Sequence, residues 1–164
     1  MGPHQDRVEA RCVKEAMRLY PLYPIVAREV NSECELGGYR LATDSNVAIS
    51  VWAMHRDPRN LSNPEAFDPD RWTDELLAQL PKLASFSFGG GPRQCPFKSY
   101  GMLEYVLLLA TIAQKYRVRL APGERAAIET TVNGLLCKGG LNVIVERRRL
   151  PWSPQDSSNK AETA

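Results

Sequence analysis

The stretch of this chain most suited to chemistry runs from Phe88 to Gly101, FGGGPRQCPFKSYG. Gly89, Gly90 and Gly91 permit backbone angles closed to other residues and let the chain approach a flat ligand. Arg93 offers a fixed, permanently charged fork for a carboxylate. Cys95 stands just before a helical pattern, where free N–H groups and the helix dipole favour a thiolate. Such a cysteine can ligate a metal or attack as a nucleophile. The nucleophile needs a base, and neither histidine, His4 or His55, has supporting spacing. Cys12, Cys34, Cys95 and Cys137 form no Cys-x-x-Cys pair, which argues against a zinc ribbon or a thioredoxin-like redox site.

The elements that must hold this loop follow from periodicity. Residues 8 to 20 have helical spacing, with Val8, Cys12, Val13, Ala16, Met17 and Tyr20 on one broad face. Pro21 and Pro24 end the helix. Glu15 shares the stripe of Val8, Cys12 and Leu19, so its carboxylate should be partly buried and need a cation. Arg18 is three residues on, and spacing alone is also satisfied by a surface ion pair. Strands are predicted around Val26 to Val30, at Tyr39 to Leu41 after a Gly37-Gly38 turn, and from Asn46 to Met54. A proline-rich loop then spans His55 to Trp72. Its His55-Arg56-Asp57 lacks the asparagine that a kinase catalytic loop requires, since Ser62 stands there. A short helix over Thr73 to Leu80 has Thr73 as N-cap. The helix after Cys95 reaches about Tyr116, with Leu103, Val106, Leu107, Ala110 and Ala113 as its core stripe. Lys98-Ser99 is no phosphate loop, because Pro92 and Phe97 occupy the required glycine positions. Strands are expected at 118–120, 128–132 and 141–145, with a Gly139-Gly140 turn between the last two.

The chain's 164 residues can bury a core. The net charge of +2 does not suggest a nucleic-acid partner, and Arg147-Arg148-Arg149 reads as a solvated strand end. The longest apolar run, Tyr105 to Ala110, is too short to cross a bilayer. The chain as given therefore reads as soluble and cytoplasmic, which leaves open an N-terminal membrane anchor on a longer parent.

Phe88, Gly91, Arg93 and Cys95 resemble the haem-binding loop of the cytochromes P-450, the haem-thiolate monooxygenases. That loop runs Phe, two residues, Gly, one, Arg, one, Cys, one, Gly. The departure is Phe97, which stands at the last glycine, and Gly101 stands where the family usually has alanine. A phenyl ring in a packed contact costs about 1–3 kcal/mol, and a positive φ would add to that. Glu15-Ala16-Met17-Arg18 looks like the family's Glu-x-x-Arg helix motif, and Pro69-Asp70-Arg71-Trp72 like the segment that supplies its second arginine.

The resemblance implies a mixed α/β fold, mainly α with small antiparallel sheets, as an incomplete C-terminal part of the family fold. Residues 1–149 would form this haem-binding region and 150–164 a disordered tail. Cys95 would be the axial ligand of the haem iron, with Arg28, Phe88, Gly91 and Arg93 also holding the cofactor. Glu15, Arg18 and Arg71 would form a structural cluster. Leu22, Ile25, Val26, Leu135 and Leu136 would face a small organic substrate. The implied reaction inserts one oxygen atom of O2 into that substrate, with electrons from a ferredoxin or a flavoprotein reductase acting on a full-length parent. Lys82 and Lys98 are candidate partner contacts. The alternative is a non-catalytic haem-binding remnant or truncated gene product, since the central helix that handles O2 in the family has no counterpart here.

Overall fold

A computed structural model of the chain describes residues 8–81, 84–131 and 134–148. The expected tail, Lys82 and His4 lie outside the described residues. Helix α1 (Val8–Leu19) buries Ala10, Val13, Glu15, Arg18 and Leu19, while Val8 and Tyr20 are exposed. The expected face is therefore rotated: the side that carries Glu15 and Arg18 goes in, because the loop over 55–72 covers it with donors and acceptors. Pro21 is fully buried where the helix stops.

Beyond it, β1 (Ile25–Glu29) pairs antiparallel with β4 (Asn46–Ser50), Ile25 opposite Ser50 and Glu29 opposite Asn46. Between them β2 (Cys34–Leu36) and β3 (Tyr39–Leu41) form a hairpin across Gly37 and Gly38. The strand expected to reach Met54 stops at Ser50, and residues Val51–Met54 form a helical turn, α2. The Ser50 side chain accepts from the Ala53 N–H at 3.2 Å, and this N-cap outweighs the continuing alternation. Helix α3 (Asp74–Gln79) is capped by Thr73, which accepts from the Leu76 N–H.

Helix α4 (Lys98–Lys115) leads directly into β5 (Tyr116–Leu120), which pairs with β8 (Val143–Arg147). A separate hairpin joins β6 (Ile128–Thr131) to β7 (Gly134–Cys137). The second strand of that hairpin is absent from the sequence reading, and the Gly139-Gly140 turn follows β7 rather than joining the 128–132 and 141–145 strands. The structure is thus mixed α/β, with four two-stranded antiparallel sheets among the described residues.

The core stripe expected on α4 is not buried. None of its 18 residues is, and Leu103, Leu107 and Leu108 are half or more exposed. A helix this apolar all round normally lies inside a protein, and here, among the described elements, α1 is the helix packed against it. No described helix is long and apolar enough to cross a membrane. Gly101 sits inside α4 with the Phe88 ring edge 3.6 Å from where a Cβ would stand, an ordinary contact distance. Gly101→Ala should therefore stabilise the protein by about 1 kcal/mol, the helix-propensity difference. An upward shift of the urea midpoint at constant m is the measurement.

Candidate functional site

A buried ionic clamp ties α1 to the loop that follows α2. Glu15 is 0% and Arg18 2% exposed. Arg18 holds Glu15 through two parallel bonds, Nε to Oε2 and Nη2 to Oε1, both 2.8 Å. Its other N–H groups donate to the carbonyls of His55, Pro64 and Ala66. Arg71 Nε donates to Glu15 Oε1 at 3.0 Å, and its remaining nitrogens reach the carbonyls of Ser62 and Asn63. Glu15, Arg18 and Arg71 thus meet. Two further donors on Glu15 have no counterpart in the sequence reading: Trp72 Nε1 at 2.9 Å and the Asp68 N–H at 3.0 Å. Burial pushes the Glu15 carboxyl up, but Arg18, the Asp68 N–H and Arg71 outweigh it and hold it below the usual carboxylate range.

His55 is a second buried polar group at this junction, 0% exposed. Its Nε2 accepts from the Phe86 N–H at 2.8 Å, which requires that nitrogen to be bare. Nδ1 therefore carries the proton and donates to the Arg18 carbonyl at 3.1 Å. Burial, with Arg18 and Arg56 nearby, pushes the imidazole down to about 4. Spacing gave no sign of this role, since nothing in a proline-rich loop marks one histidine as interior.

The cysteine loop leaves this anchor as a series of turns. Phe86 O accepts from the Gly89 N–H, and Phe88 O from the Cys95 N–H, both at 2.9 Å. Gly91 to Arg93 form a single 3-10 turn closed by the Gln94 N–H on Gly91 O. Gly91 takes φ +65 with open space where a side chain would project, so a side chain would be strained there and would fill the approach. Cys95 is a free thiol, half-buried. Arg93 is exposed. α4 begins three residues after Cys95, with Phe97 as its N-cap at φ −90. That angle is open to any residue, so the phenylalanine brings no backbone strain, and its ring is 70% exposed rather than packed. Among the described residues no group of three His, Cys, Asp or Glu is placed to hold a bare metal ion. A single cysteine sulfur beside an open, side-chain-free glycine turn suits instead an iron carried in a flat macrocycle.

Arg28 lies on β1, exposed, its Nη1 donating to the neighbouring Ala27 carbonyl. Leu22, Leu135 and Leu136 come together around a cleft of about 230 Å³, with Met17, Tyr20 and Tyr105. The close approach is made by Gly134, at φ +117: a Cβ there would stand 2.1 Å from the Leu22 carbonyl oxygen. That oxygen accepts from the Leu135 N–H at 2.8 Å. Ile25, 57% exposed, and Val26 do not line this cleft. A larger cleft, about 600 Å³, lies between α1 and α4 against Trp72, Phe88 and Gly89; Cys95 and Arg93 do not line it.

A partial mixed α/β fold with a glycine-supported cysteine loop and a buried Glu–Arg–Arg clamp is the class that fold and site define. The sequence model of the cytochrome P450 family matches residues 9–143, and the chain belongs to that family. It is 38% identical over 138 residues to cyclooctatin synthase of Streptomyces melanosporofaciens, covering 84% of this chain and 30% of that protein. It is 37% identical over 120 residues to cytochrome P450 4g15 of Drosophila melanogaster, covering 70% of this chain and 21% of the relative. Among solved structures, retinoic acid-bound cyanobacterial CYP120A1 superposes with a TM-score of 0.79 at 28% identity, over 86% of this chain and 33% of that one. The cytochrome P450DA heme domain gives 0.80 at 28% identity, over 87% and 32%. The chain thus spans under a third of the length of these curated relatives.

Proposed function

We propose that this chain is the C-terminal, haem-holding part of a haem-thiolate monooxygenase, with Cys95 as the axial iron ligand. The observation that carries the reading is the loop itself. Cys95 is a free, half-buried thiol whose backbone is pinned to Phe88, and Gly91 leaves open space on the same loop. Haem, when bound, supplies the O2 chemistry, and thiolate ligation pushes electron density toward iron, a general property of this enzyme class rather than one read from this chain. Arg93 and Arg28 are the cations for its propionates, through charge-assisted hydrogen bonds. Phe88 anchors the loop against α4. Leu22, Leu135 and Leu136 present an apolar wall to a small organic substrate. Electrons come from a ferredoxin or a flavoprotein reductase acting on the full-length parent.

In a second reading this stretch holds haem without turnover. Spectroscopy tests the haem-thiolate ligation common to both. The chain is supplied with haem, reduced and exposed to carbon monoxide. A Soret band shifted strongly to the red, lost in Cys95→Ala, is the expected result. A band at the position of imidazole-ligated or free haem in the unmodified chain sinks the proposal. Substrate oxidation, assayed separately, then divides the two readings.

A further inference from the structure

We infer that His55 is a positioning residue for the cysteine loop: a neutral strut between α1 and Phe86 that fixes where the loop to Cys95 starts, and whose protonation releases it. The hydrogen bonds form an unbroken series. The Arg18 carbonyl accepts from His55 Nδ1, and His55 Nε2 accepts from the Phe86 N–H. The Phe86 carbonyl accepts from the Gly89 N–H, and the Phe88 carbonyl accepts from the Cys95 N–H. The His55 carbonyl also receives Arg18 Nη1, so the residue is held on both its backbone and its ring. Ser87 Oγ also reaches α1, donating to the Met17 carbonyl at 3.5 Å.

Only one tautomer satisfies both ring contacts. A protonated ring has a donor at Nε2, which would face the Phe86 N–H donor and break the contact. The groups around the ring oppose a second charge. From α1 comes the Arg18 guanidinium, itself paired with Glu15, and from the residue's own segment comes Arg56. Phe86, whose N–H meets Nε2 from the loop side, is not ionisable. The strut is therefore neutral at neutral pH, and acid is what opens it. This is a statement about the loop's own backbone, so it is tested without haem and stands or falls apart from the ligation of iron.

The test is amide hydrogen exchange on the full chain, read residue by residue from pH 7 to pH 4 and corrected for intrinsic rates. In the unmodified chain the Phe86 and Cys95 amides should lose protection as pH falls, ahead of the β1–β4 amides. In His55→Ala they should exchange about tenfold faster or more at pH 7, as loss of one buried hydrogen bond implies. His55→Asn, whose amide can both accept and donate, should restore part of that protection and abolish its pH dependence. It also serves if the alanine variant fails to fold. A nitrogen-correlated spectrum should show the His55 ring protonated on Nδ1 at pH 7. Cys95 protection that tracks the β1–β4 amides at every pH, or a His55→Asn variant with an unchanged pH profile, overturns the inference.

Discussion

Glu15→Ala is expected to remove about 3–5 kcal/mol of stability, because it strands buried arginine charge with no counter-ion. The cost follows from what Glu15 holds. Its two oxygens receive Arg18 twice, Arg71, the Trp72 indole and the Asp68 N–H. Arg18 cannot escape to water, being 2% exposed with its other N–H groups on backbone carbonyls. Native domains are stable by only about 5–15 kcal/mol, so this one truncation threatens the fold. Glu15→Gln separates charge from shape. It keeps an acceptor for the indole but leaves the guanidinium groups unneutralised, so its loss should approach that of alanine. Arg71→Met should cost less, since the remaining Glu15–Arg18 pair is still bidentate. Urea midpoints for the three variants give the order. A Gln variant as stable as the parent protein would show that packing, not charge, sets the value of the clamp.

The clamp shows how far the sequence reaches. Glu-x-x-Arg spacing puts Arg18 beside Glu15 on any helix, but spacing cannot say whether the pair is inside. That depends on Arg71, 56 residues away, and on the carbonyls of a loop with no periodicity. Family resemblance supplied Arg71, and Trp72 was adjacent to it without being recognised as a donor. Turn residues were more direct: Pro21, Gly37-Gly38 and Thr73 act where local chemistry predicts. Ser50 is an instructive miss, since its capping hydroxyl interrupts an alternation that continues through Val51. β7 was invisible because Gly-Leu-Leu-Cys alternates poorly, and its start depends on a glycine folding over the Leu22 carbonyl. α4 was legible as a helix, but its apolar residues surround it, so no pattern could say which side would be covered. Phe97 was read against a glycine template, and its φ of −90 shows that the phenylalanine backbone is unstrained there.

Between pH 7 and pH 4 the protein should lose about 3 kcal/mol of stability through His55 alone. The folded ring is pushed from 6.5 down to about 4 by burial, which outweighs the opposing hydrogen bond to the Arg18 carbonyl, with the Arg18 and Arg56 charges adding smaller shares. The unfolded chain takes up a proton below about 6.5, while the folded state refuses it until about 4. The unfolded state thus binds more protons throughout this window, and stability rises with pH across it. Glu15 acts in the same direction but lower: its carboxyl is held below 4.5, so its share is lost only as pH falls beneath that value. The two contributions therefore separate on the pH axis. Urea midpoints at pH 7, 6 and 5 isolate the histidine, and the His55→Asn variant should be nearly flat over that range. An unmodified chain equally flat from pH 7 to 5 would falsify the buried neutral imidazole. A slope confined to below pH 4.5 in both proteins would assign acid lability to the carboxylates instead. A slope above pH 5 that vanishes in His55→Asn identifies the junction between α1 and the cysteine loop as the acid-sensitive point of the fold.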